Sequence, residues 1–363
     1  MFPAPTAAPA STAGGGASPA RAGASRLGWA DTAKGVCILL VVLWHVVVKH
    51  YLQIDWRLDV PITGFWGMLG NALLTLRMPL FFTISGMFAT GAFQRPWRVV
   101  ARSRVAKFLY LYVLWVCIHT ALLALVPGFD TASAGSVGEF VEQLTISPPN
   151  LWYLYALALY FTVAKALRRV PRPVMLAAAL ILSAVVAAGY VPIEANRGSL
   201  LQNLLFFLAG LYFRPYFERL ADTTGRRRAV LITVAYGAAA LALMVTGAQQ
   251  FPGAWPAVCV IATLFGVSVG PLVAAVPGIG SGLAWLGRRT LPIYVIHMPV
   301  LALIHKVLVG PLSTVGALGQ HAFVFLYPAL LTALIVALCL LAENLLRKAR
   351  ATWLFDLPRR RIK

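Results

Sequence analysis

The chain is a succession of long apolar stretches separated by short polar ones. Ten stand out, at roughly 31–50, 66–92, 105–127, 150–168, 172–191, 199–215, 229–248, 254–276, 290–309 and 321–346. A bilayer core about 30 Å thick needs roughly 20 apolar residues per helix, with about 17–25 tolerated. The pattern therefore predicts an all-α, polytopic integral membrane protein with about ten transmembrane helices. Composition agrees: 60% of residues are hydrophobic and 12% are charged, against about 25% charged in soluble domains. A water-soluble fold of this composition would expose apolar patches that aggregate. No internal repeat of fixed period is visible.

The formal charge of +20 comes from 31 Lys and Arg against 11 Asp and Glu. Placed on the ten stretches with the N-terminus inside, almost all the basic residues fall on one side. Lys49, Arg57, Arg197 and Lys306 lie on the other side, and Arg77 lies within the second stretch. Segment 128–149 has no Lys or Arg but carries Asp130, Glu139 and Glu142. This is a positive-inside pattern, and it predicts both termini in the cytosol. It also removes nucleic acid as the default explanation of the charge.

Residues 1–26, rich in Ala, Pro, Gly and Ser, lack the apolar core of a signal peptide. They read as a disordered cytosolic tail, followed by a membrane domain at 27–347 and a basic cytosolic tail at 348–363. Cys37, Cys117, Cys259 and Cys339 lie singly in apolar stretches. That argues against a zinc site or a disulfide framework, and no metal is expected.

Three stretches carry polar residues where lipid makes them costly. In the first, Lys34 and His45 are eleven residues apart, about 16 Å along a helix and nearly on one face. The second carries Arg77, followed by Ser85 and Gly86. The ninth carries Tyr294 and His297, three residues apart and on one face. The alternation of direction brings His45, Arg77 and His297 to similar depths. A charge at mid-membrane costs about 2.5–3.5 kcal/mol on insertion scales and is by default a functional hypothesis. Proton-coupled pumps usually want Asp or Glu relays, and none is present. Neutral His removes a hydroxyl proton near pH 7 and Arg stabilises an oxyanion, a set that suits acyl transfer to an alcohol. Structural readings stand beside these. Membrane His residues bond neighbouring helices, Arg77 can act as a clamp, and Ser85-Gly86 can be a close-packing pair. Trp152 and Tyr153 can belong to an aromatic belt, Gly278–Gly282 reads as a turn, and the Arg clusters are topology determinants first.

At these residues the chain resembles the membrane-bound acyltransferase family 3. Asp31-x-x-Lys34-Gly35 and His45 match its basic residue, ten intervening residues and His. Arg77-Met78-Pro79-Leu80-Phe81-Phe82-Thr83-Ile84-Ser85-Gly86 resembles its Arg-x-Pro-x-Phe-Phe-x-x-Ser-Gly block. Leu151-Trp152-Tyr153-Leu154 resembles its Leu-Trp-[Phe/Tyr]-Leu block. Gly287-Arg288-Arg289-Thr290-Leu291 through Tyr294 and His297 resembles its Gly-x-x-[Ser/Thr]-Leu-x-x-Tyr-x-x-His block. The four occur in the family's order.

The resemblance implies an O-acyltransferase of the cytoplasmic membrane. It moves an acyl group, often acetyl, from cytosolic acyl-coenzyme A to a hydroxyl of a glycan, a lipid-linked saccharide or another envelope molecule. It makes His45 the catalytic His, Lys34 its paired basic residue, Arg77 the essential Arg, and Tyr294 and His297 the C-terminal block. Acyl-coenzyme A is expected at the cytosolic mouth, with its phosphates near Lys34, Arg102 and Arg104. Asp31, Ser85, Trp152, Tyr153 and Tyr294 are expected on the substrates. About seventeen residues follow the last stretch, so the membrane domain is expected to act without an added hydrolase-like domain. The alternatives are a transporter of an anionic or lipid-linked substrate clamped by Arg77, and an inactive sensor or scaffold.

Overall fold

The structure is a computed structural model that describes residues 19–58, 62–131, 133–193 and 196–358. Residues 1–18 of the expected N-terminal tail and 359–363 of the C-terminal tail lie outside the described residues. Among those described there are helices, turns and coil, and no strand.

Ten principal helices match the ten apolar stretches. They are α1 (Pro19–Lys49), α2 (Leu74–Phe93), α3 (Lys107–Leu123), α4 (Trp152–Ala166), α5 (Arg172–Ala187), α6 (Asn196–Tyr212), α7 (Arg226–Thr246), α8 (Ala254–Ala274), α9 (Thr290–Thr314) and α10 (Tyr327–Lys348). Seven stretches form helices long and apolar enough to cross a membrane. The other three, α4, α5 and α6, have 15, 16 and 17 residues. At 1.5 Å per residue they fall a few ångströms short of a hydrocarbon core about 30 Å thick. The chain is thus a multi-pass membrane protein with seven full-length candidate spans among the described residues, where the stretches alone suggested ten.

Several boundaries differ from the sequence reading. Residues 19–26, inside the segment expected to be disordered, are already part of helix α1, where the Ala residues favour helix. The second stretch is two helices, Ile62–Ala72 and α2, interrupted at Leu73. The basic segment before α3 is a helix, not a loop. Trp97–Val100 leads through a π-helical turn at Ala101–Ala106 into α3. At the C-terminal end, Leu354 and Phe355 are buried. Trp115 Nε1 donates to Leu354 O at 2.8 Å, and Lys107 pairs with Asp356 at 2.8 Å. The first part of the expected basic tail is therefore docked on α3, because it carries its own aromatic and apolar anchors.

Helices α1 and α2 are central. One apolar core joins α1 to α3, α9 and α10, through residues such as Val42, Trp115, Ile293 and Cys339. A second joins α2 to α4, α5 and α6 around Phe82, Tyr160 and Phe207. A third joins the start of α1 and α2 to α7 and α8. Two backbone approaches fix these contacts, since small residues let helices close on one another in a membrane. A Cβ on Gly86 would meet the carbonyl of Phe207, and one on Gly210 would meet that of Thr83, so α2 and α6 cross in backbone contact. A Cβ on Gly35 would meet the carbonyl of Leu283, and one on Gly287 that of Asp31. The short helix Ile279–Gly287 is held against α1 in the same way. The glycines of the Ser-Gly and Lys-Gly motifs thus have packing work, as the structural reading of Ser85-Gly86 anticipated.

Candidate functional site

The polar residues of α1, α2 and α9 converge. His45 and His297 are 8% and 0% exposed, with ring centroids 4.9 Å apart. Their hydrogen bonds fix where the hydrogens sit. His297 Nδ1 lies 2.7 Å from Tyr294 O and 3.1 Å from Ile293 O. His45 Nδ1 lies 2.8 Å from Val41 O. Carbonyl oxygens only accept, so both Nδ1 atoms carry the hydrogen in the neutral rings. His297 Nε2, 3.3 Å from His45 Nδ1, then accepts a share of that same N–H. The nitrogen left bare on His45 is Nε2.

Arg77 is 4% exposed. Its guanidinium carbon lies 4.5 Å from the centre of the Trp44 ring, and Trp44 meets His45 edge-on with centroids 4.8 Å apart. Among the described residues no carboxylate pairs with Arg77. Trp44 therefore links the Arg and the His, stacking the cation that lipid disfavours.

Two cavities flank this group. The first, about 290 Å³, opens at the Lys34 end of α1. Lys34, Arg104 and Lys107 line it together with apolar residues such as Ile38, Phe81 and Phe161. The second, about 400 Å³, lies toward the Lys49 end and is lined by His45, Arg77 and Trp152. Val41, Met78 and Tyr294 line both, so they form the partition between them.

The expected site residues are distributed over this arrangement. Tyr294 joins two of the motifs. Its hydroxyl accepts from Tyr153 N–H at 3.1 Å and donates to Asn150 O at 2.7 Å, pinning the start of α4. Ser85 Oγ lies 2.8 Å from the Tyr153 hydroxyl, and both residues line the first cavity. Trp152 lines the second. His297 lies behind His45 and lines neither cavity. Asp31 also lines neither. Its carboxylate pairs with Lys34 at 2.8 Å and lies 3.9 Å from Arg288, so it positions the lysine. Lys34 Nζ also lies 4.8 Å from the centre of the Phe88 ring. Arg104 lines the first cavity and lies over Phe161 at 5.9 Å. Arg102 is exposed and lines neither cavity. Residues two apart on a helical turn point to nearly opposite sides, so one of the pair turns away.

Sequence reasoning missed most of the second cavity. Asn150, Asn196, Ser199, Gln202, Asn203 and Trp255 also line it. The signal available was the row of amides and hydroxyls at three- and four-residue spacing inside the sixth apolar stretch. Trp44 gave no signal beyond being next to His45. Asp130 also lines the second cavity, in an ion pair with Lys49 at 2.8 Å. Among the described residues no group of three or more His, Cys, Asp and Glu is placed to hold a metal ion.

Comparisons with known proteins identify the family. The profile of a family described as "Acyltransferase domain" matches residues 27–343. The chain is 27% identical to the Inner membrane protein YcfT of Escherichia coli (strain K12) over 239 residues, covering 61% of this chain and 65% of that protein. It is 28% identical to the Nodulation protein NolL of Sinorhizobium fredii (strain NBRC 101917 / NGR234) over 230 residues, covering 61% of this chain and 58% of that protein. The chain thus spans less than two thirds of the length of these curated relatives. No solved structure matches. The chain belongs to this acyltransferase family.

Proposed function

We propose that this member of the acyltransferase family is a plasma-membrane O-acyltransferase. It takes an acyl group, with acetyl the expected one, from cytosolic acyl-coenzyme A and delivers it to a hydroxyl of a carbohydrate or other envelope acceptor. All ten principal helices cross the bilayer, the short α4 and α6 within the bundle and the short α5 along its edge, and both termini are cytosolic. The positive-inside distribution supports this sidedness and makes the first cavity cytosolic and the second external.

The observation that carries the reading is the pair of cavities separated by Val41, Met78 and Tyr294, with His45 and Arg77 on the external side of the partition. The cytosolic cavity suits the donor, with cations at Lys34, Arg104 and Lys107 for phosphates and apolar walls for the pantetheine arm. The acyl thioester reaches the partition from below, and the acceptor hydroxyl reaches it from above.

The chemistry follows from the hydrogen positions. His45 Nε2, the bare nitrogen, takes the proton of the acceptor hydroxyl as its oxygen attacks the thioester carbonyl. Arg77 stabilises the tetrahedral oxyanion. As the intermediate collapses, the C–S bond breaks and the imidazolium returns the proton to the leaving thiolate. The Val41 and His297 acceptors on Nδ1–H stabilise the imidazolium in the interval. Closing the transfer in a site with little water limits hydrolysis.

The test uses purified chain in liposomes with radiolabelled acetyl-coenzyme A and membrane glycans. Label should pass to the glycan fraction and be lost with His45→Ala in protein that still inserts. Saturable flux of an anionic or lipid-linked substrate into vesicles without label transfer would instead establish the transporter reading.

A further inference from the structure

A further cavity, about 700 Å³, lies apart from the two that flank His45. It sits in the groove between the short helix Ile279–Gly287, with the turn that follows it, and the last turns of α10. Its polar wall sets Arg288, Arg289 and Arg347 against a single carboxylate, that of Glu343. Two of the guanidiniums are held over rings. Arg289 lies 4.1 Å from the centre of the Trp285 ring. Arg347 lies 5.2 Å from the centre of the Phe355 ring and donates Nε–H to the buried Glu343 at 2.8 Å. Arg288 lies 3.9 Å from Asp31, which places the cavity at the Lys34 end of α1. That carboxylate is already paired with Lys34 at 2.8 Å. A guanidinium carries five N–H donors, so each arginine keeps donors for a further anion. Sidedness alone needs positive charge in this region; it does not need arginines fixed on aromatic planes around a cavity.

The rest of the wall points to lipid. Leu340 and Leu341 line the same cavity, and they lie about 10 Å deeper along α10 than Arg347 at 1.5 Å per residue. Helix α10 is a candidate span, and Leu341 and Trp285 are 53% and 41% exposed. The cavity therefore runs from guanidiniums at the membrane surface, where Trp also concentrates, to leucines level with the hydrocarbon. A phospholipid has the same order, phosphate first and acyl chain below. A soluble phosphate ester would leave the leucine wall bare. Charge selects the headgroup. Three cations against one carboxylate favour a net negative head and oppose the ammonium of a zwitterionic one. Trp285, a ring that could hold such an ammonium, is already covered by Arg289. Basic pockets between membrane helices suit anionic headgroups in this way.

We propose that this cavity binds one anionic phospholipid of the leaflet at the Lys34 end of α1. Its phosphate is held by Arg288, Arg289 and Arg347, and an acyl chain lies along Leu340 and Leu341. Bound there, the lipid bridges α10 and the Ile279–Gly287 helix that packs on α1. The site is independent of the acyl-transfer reading, since none of its residues lines either cavity beside His45. It also accounts for the two arginines inside the Gly287-x-x-Thr290-Leu291 block, which the transfer chemistry does not use.

The test titrates the full-length protein in neutral detergent with dioleoyl phosphatidylglycerol, dioleoyl phosphatidylcholine and the deacylated headgroup glycerophosphoglycerol. Native mass spectrometry counts the molecules retained. One phosphatidylglycerol should bind wild type roughly tenfold more tightly than phosphatidylcholine, and roughly tenfold more tightly than its own headgroup. A basic residue at the membrane surface is worth about fivefold in affinity for an anionic lipid. Arg289→Gln should therefore weaken the first phosphatidylglycerol about fivefold, and Arg289→Gln with Arg347→Gln should remove its preference over phosphatidylcholine. Arg227→Gln with Arg228→Gln is the control, because these arginines are exposed at the start of α7 and line none of the three cavities. It removes the same charge and should change the first binding event less than about twofold, as no contact in the cavity is lost. Equal losses in the two double variants would mean diffuse attraction and overturn the proposal, as would equal binding of the two lipids. Headgroup binding as tight as that of the intact lipid would overturn it in favour of a soluble phosphate ester. Should the double variant fail to fold because Glu343 loses Arg347, Arg289→Gln and the wild-type lipid comparison still decide it.

Discussion

His297 Nε2 lies 3.3 Å from His45 Nδ1, and both Nδ1 atoms face backbone carbonyls. On the mechanism we propose the relationship is asymmetric: His297 orients and His45 acts. Removing a general base costs typically 10²–10⁴-fold in rate, so His45→Ala should lower kcat by about that range. His297→Ala leaves the base in place with looser orientation, so its loss should be nearer tenfold to a hundredfold, about the cost of misplacing a reacting group. Single-turnover acetyl transfer measures both, and equal losses would refute the division of labour.

Arg77 should not tolerate lysine. Its planar guanidinium stacks on Trp44 at 4.5 Å, and an ammonium on a flexible stem reproduces neither the stacking nor the donor fork. Loss of one oxyanion donor costs about 10²–10³ in kcat. Arg77→Gln and Arg77→Lys should both fall in that range with acetyl-coenzyme A KM little changed. Recovery of activity by Arg77→Lys would show that Arg77 acts only as a positive charge.

The first cavity makes a prediction that the sequence alone would have placed differently. Arg104 lines it and Arg102 does not. A charge-assisted hydrogen bond contributes about 1.5–3 kcal/mol. Arg104→Ala should therefore raise KM for acetyl-coenzyme A about tenfold or more, while Arg102→Ala stays within about twofold. Initial-rate kinetics at varied donor concentration separates the two.

Much of this was legible beforehand because hydropathy and charge act locally. The apolar stretches all became helical, the second as two helices, and Lys34, His45, Arg77 and His297 stood out because polar groups in lipid are expensive. What stayed hidden depends on rotation and on tertiary contact. That Asp31 is taken up by Lys34 and Arg288 needs the Ile279–Gly287 helix to lie on α1. That Arg102 turns away from Arg104 depends on helix rather than loop before α3. Asn203 escaped notice because Asn carries no charge, and that it lines the second cavity is visible only once α6 is packed.

The Lys-Gly and Gly-x-x-Thr-Leu motifs predict one further outcome. A Cβ at Gly287 would meet the carbonyl of Asp31, whose side chain holds Lys34 at 2.8 Å. Both partners are backbone atoms of packed helices, so neither yields cheaply, and overpacking of this kind costs about 1–3 kcal/mol or more. Gly282, in the same short helix, is exposed and has nothing within 4 Å of its added Cβ. Alanine there should stabilise by roughly 0.5–1 kcal/mol through helix propensity. Gly287→Ala should therefore lower the apparent Tm in detergent and raise KM for the donor as the Asp31–Lys34 pair is displaced. Gly282→Ala should hold or raise Tm and leave kinetics alone. The same substitution, five residues apart on one helix, is thereby expected to have opposite signs, and equal effects at the two positions would rule out the backbone contact with α1.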